Sequence, residues 1–196
     1  AFQKDPAPVL ALLELLKDDP ALYVRRSVAN NLNDIGKDHP EVLTRTTHQW
    51  LQGASEERQW IVRHALRTAI KRGEPGALAV LGFGAQADVA VRSAQITPSR
   101  AAIGEKVVLA FEVVNRSAAP QRVLVDFRIH YTKANGSTAA KVFKLKTLEL
   151  QAGETARLQK SVSLAQMSTR THYPGRHQVD ALLNGHAEPL GHFDLN

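Results

Sequence analysis

The first part of the chain contains a repeated stretch that decides its fold. Residues 23–40 read YVRRSVANNLNDIGKDHP, and residues 60–73 read WIVRHALRTAIKRG. The two stretches match at an offset of 37 residues, with an aromatic residue, an arginine and a glycine in equivalent places. A period of this size is typical of stacked helical hairpins. The repeat therefore predicts an α-solenoid.

The start, stop and periodicity signals around the repeat predict where its helices lie. We predict helices at residues 8–16, 23–36, 40–52 and 56–72, and a short one at 77–81. In the second helix, apolar residues at helical spacing form the stripe that packs on neighbouring repeats; they are Val24, Val28, Leu32 and Ile35. Gly36 and Gly73 are expected to end the second and fourth helices.

The fourth predicted helix carries three cations on one face, Arg63, Arg67 and Lys71. At spacings of four residues they repel each other by a few tenths of a kcal/mol per pair. An anion such as phosphate would compensate that cost. An alternative role for Arg63, and for Arg26 at the equivalent place, is to bond carbonyls or an acidic turn of the adjacent repeat.

From residue 88 onward the hydrophobic period becomes two, as expected for half-buried strands. We predict seven short strands, at residues 89–97, 107–114, 123–131, 139–148, 155–164, 177–183 and 190–195. Turn signals such as Asn184-Gly185 separate them. Seven short strands joined by such turns are typical of a sandwich. The fold prediction is a multidomain α + β chain, with HEAT-like helical repeats at 1–82, a linker at 83–87 and an all-β immunoglobulin-like sandwich at 88–196.

The net charge of +6 is unevenly distributed along the 196 residues. Residues 1–87 hold 11 basic and 10 acidic side chains, whereas residues 88–196 hold 14 basic and 9 acidic ones. Most of the basic surplus therefore belongs to the predicted sandwich. Such a surplus suits a polyanionic partner, although many proteins carry it for solubility alone.

Composition also limits the compartment and the chemistry. The chain has no cysteine, so it has no disulfides, thiolate metal sites or cysteine nucleophile, as expected in a reducing cytosol. No apolar stretch approaches the roughly 20 residues that cross a bilayer. No residue spacing indicates a metal or an organic cofactor. With no initiator methionine and no leader at its start, the chain is expected to be a piece of a longer, non-secreted protein.

Two runs within the repeat are more distinctive than a generic HEAT repeat. They are Ser27-Val28-Ala29-Asn30-Asn31-Leu32-Asn33-Asp34 and Arg63-His64-Ala65-Leu66-Arg67. With them, residues 8–82 resemble the HEAT-like-repeat DNA alkylation repair glycosylases of the AlkC type, some of which carry a C-terminal immunoglobulin-like domain. The resemblance implies excision of N3-alkylated purines such as 3-methyladenine from double-stranded DNA, without a metal or cofactor. It also implies a monomeric bacterial protein of the cytoplasm that associates with the nucleoid when bound to DNA.

The resemblance implies a carboxylate beside the damaged nucleotide, because an alkylated purine is already a good leaving group and its sugar becomes oxocarbenium-like. Asp34 is the candidate catalytic residue; its alternative role is a bond to an arginine between repeats. The candidate DNA-binding residues of the repeats are Arg25, Arg26, Asn30, Arg63, His64, Arg67 and Lys71. Trp60 either stacks on DNA or fits the apolar seam as the counterpart of Tyr23, and Trp50 is expected in the core. About two repeats are too few for the family's channel, so the remaining catalytic groups are expected outside this chain.

In the sandwich, the hairpin at 131–138 and its flanking strands carry basic residues on positions expected to be polar-facing. These candidate DNA-binding residues are Arg128, His130, Lys133, Lys144 and Lys146. The alternative is a solvated sheet face whose lysines protect an edge against aggregation. The rival function for the whole chain is a non-enzymatic module, with repeats that bind protein and a sandwich that serves adhesion or binds carbohydrate.

Overall fold

A computed structural model of the chain describes residues 3–84, 87–168 and 171–196. The chain divides into two compact units, Ala1–Ala85 and Gln86–Asn196, the first helical and the second built of strands. Residues 1–2 of the predicted repeat domain and residues 85–86 of the predicted linker lie outside the described residues. None of the described helices is long and apolar enough to cross a membrane.

Packing around the long second helix organises the helical unit. Its helices are α1 (Ala7–Leu16), α2 (Leu22–Asp38), α3 (Pro40–Leu51), α4 (Glu56–Ala65), α5 (Arg67–Lys71) and α6 (Pro75–Val80). Along the predicted apolar stripe of α2, Val28 and Leu32 are fully buried and Val24 is partly buried. They lie in a core that also contains Ile61 and Val62 of α4.

Two glycines at equivalent positions of the repeat have different roles. Gly73 adopts a positive φ of 71° after α5, and Glu74 N–H donates to the Ala69 carbonyl across it, so its prediction as a helix end is confirmed. The same prediction for Gly36 is wrong, because α2 continues to Asp38. A Cβ at Gly36 would lie 2.3 Å from Leu43 Cδ2. The missing side chain therefore allows the close approach of α3.

The helix predicted at 56–72 is interrupted at Leu66, where α4 ends and α5 begins. Asn33 of α2 is buried there, and its Oδ1 accepts the backbone N–H of Thr68 at 3.4 Å. That N–H belongs to the first turn of α5, where a helix leaves its donors without internal partners. The interruption divides the predicted row of cations, with Arg63 on α4 and Arg67 and Lys71 on α5.

The strand unit is a sandwich of a three-stranded and a five-stranded sheet. Its strands are β1 (Val89–Thr97), β2 (Arg100–Ala101), β3 (Lys106–Asn115), β4 (Gln121–Thr132), β5 (Thr138–Leu150), β6 (Thr155–Ser163), β7 (Gly175–Leu183) and β8 (His186–Leu195). The sheet orders are β1-β3-β6 and β2-β8-β7-β4-β5. The seven predicted strands are present, and the two-residue β2 adds an eighth. Asn184 and Gly185 both have positive φ at the β7–β8 turn, as the hairpin signal predicts.

A bulge between β4 and β5 lies at two of the candidate lysines, Lys144 and Lys146. Val125 pairs with Lys146, and the next residue, Asp126, pairs with Lys144, so Leu145 is the extra residue. Leu145 packs against the hydrophobic core, whereas Lys144 and Lys146 on either side of it are both exposed.

Candidate nucleic-acid interface

A polar cluster joins α2 to the junction of α4 and α5. Asn30 Oδ1 accepts a hydrogen bond from Arg67 Nη2 at 3.0 Å and lies 3.2 Å from His64 Nε2. Arg67 Nη1 also donates to the His64 carbonyl at 2.6 Å. The ring of Trp60 stacks on the His64 ring, with centroids 4.9 Å apart and planes 8° from parallel. Packing of α4 on α2 thus assembles three of the candidate DNA-binding residues in one place.

The oxygens that hold Arg67 are uncharged, so these bonds leave its positive charge uncancelled. A guanidinium has five N–H donors, and the hydrogen bonds to His64 and Asn30 leave others for an external acceptor. Arg25 is held in the same way, by the carbonyls of Asp19 and Pro20 at 3.1 and 2.8 Å. Within the described parts of the chain, neither arginine has a carboxylate at ion-pair distance. Both are positioned to meet an anion.

The other candidate cations of the helical unit are more loosely held. Arg63 is exposed, and its Nη1 lies 3.5 Å from Gln59 Oε1, at the limit of a hydrogen bond. Arg26 and Lys71 are exposed on α2 and α5. Their side chains make no ion pair with any carboxylate among the described residues. These three side chains are therefore accessible to a ligand in solution.

The candidate catalytic carboxylate, Asp34, lies on the exposed side of α2. Its side chain is 66% exposed and accepts a hydrogen bond from Lys37 Nζ at 2.7 Å. That bond lowers the pKa of Asp34 despite the opposing effect of burial, and the charge of Arg67 acts in the same direction. Asp34 is therefore ionised at neutral pH. Its partner is a lysine of its own helix, whereas the sequence offered an arginine of another repeat as the alternative.

The aromatic residues of the repeat divide between core and surface. Trp50 is 3% exposed and its Nε1 donates to Glu14 Oε2 at 2.7 Å, which confirms the predicted core position. Tyr23 is 85% exposed, so its prediction as part of an apolar seam is wrong. Trp60 is partly buried, and its ring stacks on that of His64 in the polar cluster. Equivalent places in the repeat do not imply equivalent burial here.

On the sandwich, two of the candidate DNA-binding side chains share one carboxylate. Asp180 Oδ2 accepts from Arg128 Nη2 at 2.7 Å and from Arg128 Nε at 2.9 Å, and lies 2.9 Å from His130 Nε2. Burial raises the pKa of Asp180, but the hydrogen bonds from His130 and Arg128 outweigh it and lower that pKa overall. Sequence reasoning did not single out Asp180. Its partnership depends on the β4–β7 pairing of Arg128 with Asp180, which no local signal reveals.

The candidate lysines of the sandwich remain exposed. Lys133 lies in the turn between β4 and β5, where its N–H donates to the Ser137 carbonyl at 2.8 Å, and Lys144 and Lys146 follow on β5. None of the three forms an ion pair within the described residues. The same residues contain no group of three His, Cys, Asp or Glu side chains arranged to hold a metal ion.

Comparison with known proteins places this geometry in context. Residues 90–196 match the family model of the C-terminal Ig-like domain of the uncharacterised protein YhaZ. The chain is 38% identical over 185 residues to YhaZ of Bacillus subtilis (strain 168). The matched residues cover 94% of this chain and 51% of YhaZ. It also superposes with a TM-score of 0.93 and 43% identity on the Pseudomonas fluorescens alkylpurine DNA glycosylase AlkC bound to DNA containing an abasic-site analogue, over 100% of this chain and 54% of that one.

The chain spans about half the length of these two relatives. Over its whole length it shares the fold of the corresponding part of AlkC, so the predicted likeness to the AlkC type is confirmed at the level of the fold. The presence of both helices and sheets, with an immunoglobulin-like domain at 90–196, is also confirmed.

Proposed function

This chain belongs to the family defined by the C-terminal Ig-like domain of YhaZ, and on that premise we propose that it is the DNA-holding part of an alkylpurine DNA glycosylase. The proposed reaction is hydrolysis of the N-glycosyl bond of N3-alkylated purines, 3-methyladenine above all, in double-stranded DNA. Its likeness to AlkC at 43% identity over the whole chain supports the proposal. The proposed location is the bacterial cytoplasm, on the nucleoid.

The observation that carries the proposal is the cluster of Asn30, His64 and Arg67. Phosphate contacts supply a large share of the affinity of proteins for DNA, and arginine binds phosphate through two parallel N–H donors. Arg67 keeps its positive charge because the oxygens of His64 and Asn30 that it binds are uncharged, and these two bonds leave further N–H donors for a phosphate. Arg25, Arg26, Arg63 and Lys71 of the same unit extend this proposed contact along the backbone.

Asp34 supplies negative charge in the proposed chemistry. As the glycosyl bond breaks, positive charge develops on the sugar, and a nearby ionised carboxylate stabilises it. The lowered pKa of Asp34 keeps it ionised at neutral pH and makes it a weaker base, so electrostatic stabilisation suits it better than proton abstraction. The cationic alkylpurine departs as a neutral base.

Binding of the chain to duplex DNA tests the proposed contact. Fluorescence anisotropy with a labelled duplex containing an abasic-site analogue is measured between about 50 and 200 mM salt. We expect the logarithm of affinity to fall linearly with the logarithm of salt concentration, by about 0.9 per phosphate neutralised. Absent or salt-independent binding would contradict the proposal and favour the protein- or carbohydrate-binding module.

The catalytic assignment is tested separately, on the full-length protein. Release of 3-methyladenine from alkylated DNA is measured for the wild type, Asp34→Asn and Asp38→Asn. Asp34→Asn removes the charge with little change of shape, so single-turnover release is expected to fall by about 100-fold or more. Asp38→Asn changes the same charge one turn further along α2 and serves as the control. Equal rates for all three proteins would exclude Asp34 as the catalytic carboxylate.

A further inference from the structure

The side-chain oxygen of Asn30 contacts two side chains, those of Arg67 and His64, to which the proposed function assigns DNA binding. Asn30 Oδ1 accepts from Arg67 Nη2 at 3.0 Å and faces His64 Nε2 at 3.2 Å. A carboxamide oxygen only accepts hydrogen bonds and has two lone pairs, so it has room for both donors. This arrangement requires the proton of the His64 ring to be on Nε2.

We propose that Asn30 is a positioning residue, which holds Arg67 and His64 as one unit that receives a phosphate of the DNA backbone. The inference rests on the proposed function and assigns Asn30 a different role from direct contact with DNA. The Arg67 guanidinium is fixed at both ends, through Nη1 to the His64 carbonyl and through Nη2 to Asn30. Its remaining donors are thereby held in one orientation before the anion arrives.

An amide suits this role because it fixes a cation without cancelling its charge. Elsewhere in the chain carboxylates hold arginines: Asp18 pairs with Arg58, Asp180 with Arg128 and Asp194 with Arg176. Those pairs are neutral overall and attract phosphate less. Ordering an arginine in advance also reduces the entropy lost when it binds, which strengthens binding without an additional contact.

The neighbouring asparagines of α2 have other tasks, which makes the role of Asn30 specific. Asn33 accepts the backbone N–H of Thr68 and so supports the α4–α5 break from which Arg67 extends. Asn31 Nδ2 donates to the Ser27 carbonyl of its own helix at 2.9 Å. Asn31→Ala is therefore the matched control, since it removes an exposed asparagine of the same helix that does not hold Arg67.

A double-mutant cycle tests the positioning role through duplex affinity at fixed salt. We expect Asn30→Ala and Arg67→Ala each to weaken binding by about tenfold, and the double variant to bind only as weakly as Arg67→Ala, because coupled residues are not additive. Asn31→Ala is expected to bind like the wild type. Fully additive losses would overturn the proposal.

Asn30→Asp separates positioning from a structural role. The aspartate side chain has nearly the shape of asparagine and still accepts a hydrogen bond from Arg67. Thermal stability of the variant is therefore expected to equal or exceed that of the wild type. Its charge neutralises Arg67, so duplex affinity is expected to fall and the salt slope to shrink by about one phosphate contact. If both Asn30 variants bind like Asn31→Ala while Arg67→Ala weakens binding, the positioning role is refuted and the proposed function stands. If the wild type itself does not bind duplex DNA, the proposed function fails, and this inference fails with it.

Discussion

At the scale of single residues, the partner of each arginine decides which other ligands it is able to bind. Arg128 and Arg176 face carboxylates, whereas Arg25 and Arg67 face uncharged oxygens. In the sequence these four residues are equivalent cations. They differ because the fold places carboxylates beside two of them and uncharged oxygens beside the other two. For this reason we place the proposed anion contact on the helical unit.

The shared carboxylate of the sandwich predicts a stability effect. Asp180→Asn weakens three charge-assisted contacts to Arg128 and His130, whose side chains are only partly exposed. We expect a loss of about 1–3 kcal/mol in the free energy of unfolding, measured by urea denaturation. Asp194→Asn is the control, because its partner Arg176 is 60% exposed and solvent-exposed ion pairs contribute little to stability. Equal losses for the two variants would contradict this prediction.

Burial of His177 predicts how stability depends on pH. This residue is fully buried; its Nδ1 accepts from Thr132 N–H at 3.4 Å, and its Nε2 bonds the Tyr173 carbonyl at 3.2 Å, so the ring is neutral. Burial lowers the pKa of His177 below its usual 6.5, despite the opposing effects of the Tyr173 carbonyl and Asp194. The unfolded chain therefore binds this proton at higher pH than the folded one.

The direction of the pH dependence of stability follows from that difference in the pKa of His177. The stabilising contribution is complete above the unfolded pKa, and it is lost progressively as pH falls below about 6.5 toward the folded pKa. Urea denaturation between about pH 8 and pH 5 is expected to show this decline for the wild type and for the exposed-site variant His192→Gln. His177→Gln is expected to show a flatter acid dependence. Parallel pH profiles for all three proteins would show that His177 does not titrate in this way.

At the scale of helices and strands, the packing distance between helices and the register between strands decide features that the local sequence does not predict. Gly36 and Gly73 occupy equivalent places in the repeat, yet one allows α3 to pack and the other ends α5. The bulge at Leu145 brings Lys146 opposite Val125 and Lys144 opposite the next residue, Asp126. Both outcomes depend on a neighbouring element of the fold.

The helix contact predicts opposite responses of two glycines to alanine. In Gly36→Ala the new Cβ would lie 2.3 Å from Leu43 Cδ2 and 2.9 Å from Leu43 Cβ, so we expect a loss of about 1–3 kcal/mol in unfolding free energy. In Gly76→Ala the nearest atom is Thr44 Oγ1, a side-chain atom at 3.1 Å. Helix propensity then prevails and stability is expected to change little or rise by up to about 1 kcal/mol. Thermal or urea unfolding measures both, and stabilisation by Gly36→Ala would refute the packing argument.

At the scale of the whole molecule, the net charge of each unit does not locate the anion contact. Residues 88–196 hold most of the surplus, but Arg116, Arg128, Arg157 and Arg176 there are paired with acids. The residual charge of that unit is carried largely by lysines such as Lys133, Lys144 and Lys146. Residues 1–87 are nearly neutral in sum, yet Arg25 and Arg67 there form no ion pair with a carboxylate in the part of the chain that the structure describes.

Much of the architecture was determined by the sequence itself. The 37-residue repeat and the change to a period of two reveal helices followed by strands, because burying one face of a helix or strand imposes that period on the chain. Turn and cap residues such as Asn184, Gly185 and Gly73 are equally local, since a positive φ strongly favours those residue types. The distinctive runs around Asn30 and His64 also indicated the AlkC-type likeness.

Only the tertiary structure decided which polar side chains meet. Asn30 and Arg67 are 37 residues apart, and Arg128 and Asp180 are 52 apart. The burial of Asn33, the break at Leu66 and the exposure of Tyr23 likewise depend on the neighbours that each element meets. The physical reason is range: backbone preference and amphipathic period act within a few residues, whereas a hydrogen bond or ion pair forms between whichever groups the packed elements bring within about 3 Å of each other.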